Sequence, residues 1–208
     1  MNNLIEIFKD KKLIDKIKKK LPYLFNLAEI ECSRAGKIGM QVGSLRENII
    51  ISLLIYKFGE KNIETTIPIT ENDIDVKVYG MPVSIKTISN KNLSGIKLTW
   101  TVDTLKAKEF LTSYYPKSDL LLTHISWNNF GGLYLFPLEI QEKIFKRIGR
   151  EKYIKLPKEG TNPRGIELSK EAIIELLKDR NYKIEIFWNK ENINVNPYKR
   201  WIDFWKEG

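Results

Sequence analysis

Three side chains of this chain have the types and the order needed to hold and use a divalent cation: Glu47, Asp75 and Lys86. Residues 71–88, ENDIDVKVYGMPVSIKTI, alternate apolar and polar side chains around a Gly/Pro break, which is the pattern of a two-stranded hairpin. Ile74, Val76 and Val78 share one face of the first strand; Val83, Ile85 and Thr87 share one face of the second. A turn centred between Gly80 and Met81 predicts facing numbers that sum to 161, with Asp75 directly opposite Lys86. Taken alone, such a pair can be an ordinary cross-strand ion pair worth roughly a few tenths of a kcal/mol. Upstream, Glu47 stands one turn inside a predicted helix, SLRENIIISLLIYKFGE, that leads into the hairpin.

Glu on a preceding helix, Asp on one strand and x-Lys on the next resemble the active-site order of the PD-(D/E)xK nucleases. The chemistry accounts for the types. Two carboxylates suit Mg²⁺, a hard cation that takes oxygen ligands, and a lysine near the scissile phosphate favours hydroxide or stabilises developing charge. Two departures stand out. Ser84 occupies the position, two before the lysine, where the family pattern has Asp or Glu, and no Pro-Asp dipeptide precedes the hairpin. Glu47 would then supply the missing charge, yet Ser44-x-x-Glu47 is also a capping box. One carboxylate does not easily serve both ends.

The elements that must position these groups follow from composition and pattern. At 208 residues and 42% hydrophobic, the chain can bury one sizeable core, and a single α/β domain with a helical N-terminal portion is expected. A formal charge of +9 favours an anionic partner. One Cys (Cys32) excludes an intramolecular disulfide and suits a reducing cytoplasm. With one His as well, no zinc site can be assembled, and a Ser-His-Asp triad could use only His124. No apolar run reaches membrane-spanning length, and the start does not read as a signal peptide.

Residues 3–20 read as an amphipathic helix with a lysine-rich outer face, and Pro22 is expected to restart the chain into a second helix over residues 23–33. RAGKIGMQVG, residues 34–43, has three glycines and reads as a loop. It carries Arg34, Lys37 and Gln41, which can read base edges or grip phosphate. Met40 has two readings: a plug into the core, or an exposed apolar wedge that enters a base step.

The order Met40, Glu47, Asp75, Ser84-Ile85-Lys86 resembles the ThaI family of type II restriction endonucleases over most of the chain. That resemblance implies catalytic roles for Glu47, Asp75 and Lys86, and DNA contact by Met40 as a wedge. It implies a Mg²⁺-dependent homodimer that recognises CGCG in double-stranded DNA and cuts at the centre to leave blunt ends. It also implies a cognate DNA methyltransferase in the host. The expected fold is a restriction-endonuclease-like core, a mixed β-sheet flanked by helices. Residues 1–43 form the helical region and DNA-contacting loop, and residues 44–208 form the core of one nuclease domain. Metal would be held by Asp75, with Glu47 and the backbone oxygen of Ile85.

Downstream, residues 118–127 form an apolar strand expected at the sheet centre, followed by a partner strand over residues 132–136. Asp103 and Glu109 are reserve carboxylates, read first as a helix cap and a surface charge. Residues 150–165 read as a loop whose Lys155, Lys158 and Arg164 could reach a groove. Ser169 is expected to cap a helix, and Trp201, Phe204 and Trp205 to pack on the core or a second subunit. Two rivals remain: a structure-selective nuclease of the same fold, and a non-catalytic DNA-binding protein in which Asp75–Lys86 is only an ion pair.

Overall fold

The computed structural model describes residues 2–34, 37–39, 41–68, 71, 73–89, 94–99, 104–156, 166–179 and 182–207. After a short 3-10 turn, Asn3–Phe8, helix α1 runs unbroken over Lys11–Glu31, with the Asp10 side chain accepting from the Leu13 N–H at its start. Pro22 lies inside it, so the expected break does not occur. An interior proline costs about 3 kcal/mol. Here Leu13, Ile17, Leu21, Phe25 and Ala28 keep one continuous buried stripe across it, and burial of each such side chain contributes about 1.5–3 kcal/mol. The stripe outweighs the proline.

Strands β1 (Ser33–Arg34) and β2 (Lys37–Ile38) form a two-stranded antiparallel ribbon where a loop was expected. Helix α2 covers Val42–Phe58, followed by β3 (Ile63–Glu64), β4 (Val76–Val78) and β5 (Met81–Ile88). Then come β6 (Ile96–Thr99), α3 (Thr104–Ser113), β7 (Asp119–His124), β8 (Phe130–Phe136) and α4 (Leu138–Ile148). The remaining elements are α5 (Arg150–Tyr153), β9 (Ile154–Lys155), β10 (Ile166–Leu168), α6 (Lys170–Lys178), β11 (Lys183–Phe187) and α7 (Lys199–Lys206).

Six strands make one mixed sheet in the order β11-β8-β7-β5-β4-β3. Its β5–β7 pair is parallel and its other neighbours are antiparallel. As expected, the apolar β7 lies inside the sheet. Side-chain alternation along these strands builds two cores. Val83, Ile85, Leu121, Leu133 and Ile184 pack with α1 and α2 on one face, while Ile88, Leu120, Leu122, Tyr134 and Phe136 pack with α4 and α6 on the other. The N-terminal helix is therefore part of the main core. A second sheet, β6-β10-β9, sits in the other cluster through Ile96, Ile166 and Ile154.

Caps fall where the residue types call for them. Ser169 Oγ accepts from the Ala172 N–H at 2.9 Å, and Asp119 Oδ1 accepts from the Leu138 N–H at 2.8 Å, starting α4 beside Pro137. Of the two settings expected for the aromatic helix α7, this chain's own core is excluded: Phe204 is 76% and Trp205 89% exposed.

The turn joining β4 to β5 is Tyr79-Gly80, both with positive φ (50° and 76°), as a two-residue turn matching the strand twist requires. A Cβ added at Gly80 would meet nothing within 4 Å, so Gly80→Ala meets only a conformational cost, expected at about 1 kcal/mol in a urea titration. An unchanged midpoint would show that this turn does not hold the hairpin.

Candidate active site

The Tyr79-Gly80 turn decides the register. Val76 faces Val83 and Val78 faces Met81, a sum of 159 instead of the expected 161. Extended one residue beyond β4, that sum puts Ser84 in place of Lys86 across from Asp75, whose N–H donates to the Val83 carbonyl at 3.0 Å, and leaves Lys86 on the diagonal. Diagonal neighbours on one sheet face remain within reach of a long side chain, and Lys86 Nζ donates to Asp75 Oδ2 at 2.9 Å. Two further donors meet the same oxygen: the Ile85 N–H at 2.6 Å and Ser84 Oγ at 3.3 Å. Asp75 and Lys86 side chains are 14% and 15% exposed, so this pair is far drier than a surface ion pair.

Glu47 joins them from α2. Burial and the Asp75 charge raise its carboxyl above the ordinary value, and Lys86 opposes the rise; the three side chains share one electrostatic site. The capping-box alternative is removed, because α2 starts at Val42 with Gln41 as its N-cap residue and no side-chain cap bond. Ser44 is already inside the helix, which leaves Glu47 free of that duty.

A buried network that the sequence did not reveal fixes the start of α2. Arg46, 3% exposed, donates to Glu29 on α1, 4% exposed. Glu29 also accepts from Trp127 Nε1 at 2.8 Å and from Lys190 Nζ at 3.1 Å. Arg46 directly precedes Glu47, so the pair sets the rotation of the helix turn that carries the carboxylate. Separations of 17 to 161 residues between these partners explain why no local pattern announced them.

Asp73 was also passed over. Its Oδ1 is buried with no hydrogen-bond partner among the described residues. Burial raises its carboxyl, Lys86 and Lys117 pull it down, and Asp75 pushes it up. Nothing in an alternating strand pattern marks it apart from its neighbours.

The other expected residues divide. Lys37 and Gln41 are exposed on the ribbon and at the start of α2. Gly39 has a close-approach role there: its N–H donates to the Cys32 carbonyl at 3.0 Å, where an added Cβ would also crowd that oxygen. Met40, Asp103, Lys158 and Arg164 lie outside the described residues, as does the side chain of Arg34. Glu109 is exposed on α3 and Lys155 on β9, both away from any role shown here.

Metal fit rests on the donor set. Among the described residues no three His, Cys, Asp or Glu side chains stand close enough to hold an ion by themselves. Mg²⁺ does not ask for that: it binds through one or two carboxylates, with water and substrate phosphate completing the shell. Glu47 and Asp75 supply that many hard oxygens, and the orphaned Asp73 Oδ1 adds negative potential nearby.

The chain is similar to known proteins over nearly its whole length. The family model described as restriction endonuclease ThaI matches residues 7–207. A solved structure described as a restriction endonuclease in complex with substrate DNA is 56% identical, covers 100% of both chains and superposes with a TM-score of 0.92. No curated protein matches the chain.

Two outcomes follow for the site. Because Glu47 is raised in the fold, the native state favours its protonated form, and stability falls as pH rises from the ordinary value of 4.5 through the raised one. Glu47→Gln is therefore expected to raise the cation-free melting temperature at pH 7 by a few degrees, with the gain vanishing below about pH 4. A lowered melting temperature at pH 7 would contradict the burial penalty. Glu29→Ala strands Arg46 in the core and should cost about 3–5 kcal/mol in a denaturant titration.

Proposed function

This chain belongs to the ThaI family of restriction endonucleases, type II site-specific nucleases, and we propose that its Glu47–Asp75–Lys86 site cuts both strands of DNA at the palindrome CGCG, at the centre, leaving blunt ends. The observation that carries this reading is the convergence of Lys86 and Glu47 on Asp75 across a helix and two strands. The arrangement supports assignment to the PD-(D/E)xK nucleases, with Ser84 in place of the usual acid acting as a donor to Asp75. The CGCG site, the blunt cut and Mg²⁺ rest on the likeness to the ThaI family.

Each residue has a separable part. Asp75 is held in place by the Ile85 N–H, which the strand fixes, and its remaining oxygen is available to a cation. Glu47, the Asp75 carboxylate and the Ile85 carbonyl are the proposed Mg²⁺ ligands. When bound, Mg²⁺ supplies Lewis-acid polarisation of the phosphate and a water of lowered pKa. Lys86 Nζ, poised 2.9 Å from Asp75, can donate to a phosphate oxygen and stabilise negative charge as it develops in a site sheltered from water. Raised by burial, Glu47 must be ionised to bind a cation, so cutting should fall on the acid side at a pH above the ordinary glutamate value.

DNA contact is assigned to Arg34, Lys37, Met40 and Gln41, on the segment that runs directly into α2. Met40 would enter a base step as an apolar wedge, and the basic side chains would meet phosphates or base edges. A net charge of +9 supports tight, salt-dependent association with the duplex. A palindrome read symmetrically requires a two-fold homodimer, each copy of residues 1–208 acting as one nuclease unit on one strand. Such a system also requires a host methyltransferase that protects its own sites, with no stable complex needed. Among the described residues no helix is long and apolar enough to cross a membrane.

The test is a digest of unmethylated plasmid carrying several CGCG sites, with Mg²⁺ or with EDTA. Blunt fragments ending at mid-CGCG, absent in EDTA and slowed at least about 100-fold by Asp75→Ala and Lys86→Ala, are expected. Fragments that persist in both variants would place the active site elsewhere. Cutting at branched DNA without a fixed sequence would favour a structure-selective nuclease of this fold.

A further inference from the structure

Helix α7 has its polarity sorted by face. At about 100° per residue, Tyr198, Trp201, Ile202, Phe204 and Trp205 share one side of it, and Lys199, Asp203, Lys206 and Glu207 share the other. The apolar side faces water: Tyr198 is 68%, Trp201 56%, Ile202 42%, Phe204 76% and Trp205 89% exposed. Among the described residues, none of α7 belongs to either core, and it only grazes the other elements of the chain. Isolated helices shorter than about 12–15 residues are marginal in water, and in proteins the packing of an apolar face supplies most of their stability. An eight-residue helix with most of that face in water does not hold by itself. The face needs a cover.

Its chemistry selects the cover. Duplex DNA is gripped at its phosphates by cationic side chains, and the open side of α7 carries no charge. A membrane-surface helix has a strongly cationic polar side; here Lys199 is paired with Asp203 at 2.6 Å, and Glu207 follows Lys206. An apolar protein surface fits, and a second copy of this chain brings one in α7 itself. An aromatic ring offers roughly 150–250 Å², so at these exposures one copy presents roughly 600 Å². Two such faces together bury about 1,200 Å², the size at which specific interfaces begin.

We propose that α7 is the two-fold contact between copies of this chain, its apolar side packing on the same side of a second copy's α7. This rests on the palindrome-cutting reading and deepens it by naming the surface that joins the two nuclease units. An isologous contact asks only that one patch be complementary to itself. The segment that carries α7 is rooted beside the site. Asn26 Nδ2 donates to the Glu191 carbonyl at 2.7 Å, and Lys190 Nζ donates at 3.1 Å to Glu29, the carboxylate that holds Arg46 next to Glu47. Pairing through α7 thus joins the copies by a segment that is tied, in each, to the helix turn bearing Glu47.

Analytical ultracentrifugation of the full chain, without DNA or metal, tests this on the wild type and on the double variant Phe204→Ser/Trp205→Ser. The wild type should be a dimer, and the variant's dimer dissociation constant should rise at least about 100-fold, with its circular dichroism still that of a folded chain. The wild-type melting temperature should climb with protein concentration, and the variant's should not. Cutting by the variant should fall off with the square of its concentration and recover when enough protein is added, which damage to the site itself would not allow. If the double variant does not fold, Ile202→Glu takes its place, setting like charges face to face across the axis. A variant as dimeric as the wild type, or a wild type that is monomeric, overturns the proposal. So does a variant that stays dimeric but binds DNA more weakly, or a monomeric wild type that binds phosphatidylglycerol vesicles through these rings; either would give α7 a different cover. Dimerisation is read without cleavage, so a chain that pairs through α7 yet cuts no CGCG plasmid would sink the nuclease reading alone.

Discussion

Asp75 Oδ2 is the oxygen on which the site depends. Its nearest donor is the Ile85 amide at 2.6 Å, a backbone group whose position is set by the sheet. The carboxylate is thus aimed by a rigid strand and not by a mobile side chain, as a site that must hold geometry to within a fraction of an ångström requires. The strand is itself held from both sides, by β4 in antiparallel register and by β7 in parallel register over residues 83–88. Ser84 and Lys86, flanking the amide that fixes Asp75, project to the same face and complete its surroundings.

The second carboxylate depends on a different kind of restraint. Glu47 lies near the free end of α2, where a helix is easily rotated or frayed. The Glu29–Arg46 pair prevents this by tying that turn to α1, and Trp127 and Lys190 extend the tie to the connection after β7 and the chain beyond β11. A buried ion pair contributes little net stability over a well-packed apolar pair, but breaking one side of it is severe. Its value here is orientation: Arg46 cannot turn without stranding its charge, and Glu47 turns with it.

Charge and apolar surface are distributed unevenly around these anchors. The ribbon β1–β2 and the start of α2 expose Lys37, Ile38 and Gln41 next to the turn that bears Glu47. Helix α7, beyond β11, presents Phe204 and Trp205 to solvent. This chain therefore leaves apolar rings uncovered at α7.

Local pattern carried a good deal of this protein. Alternation over residues 71–88 identified the hairpin, an unbroken apolar run identified the inner strand β7, and Ser169 marked the start of α6, because period-two burial and capping are decided within a few residues. The chain order of Glu47, Asp75 and Lys86, with the segment before them, was enough to bring the restriction endonuclease family into view. Register was another matter: it turned on which two residues adopt positive φ, and Tyr79 gave no local sign that it would. Pro22 likewise reads as a helix break, until burial of the stripe on both sides outweighs it. The Glu29–Arg46 tie, the orphaned oxygen of Asp73 and the conversion of Ser84 from a missing acid into a donor all join residues through burial and through space. Such pairings exist only once distant segments pack together, and that is the information a linear pattern does not contain.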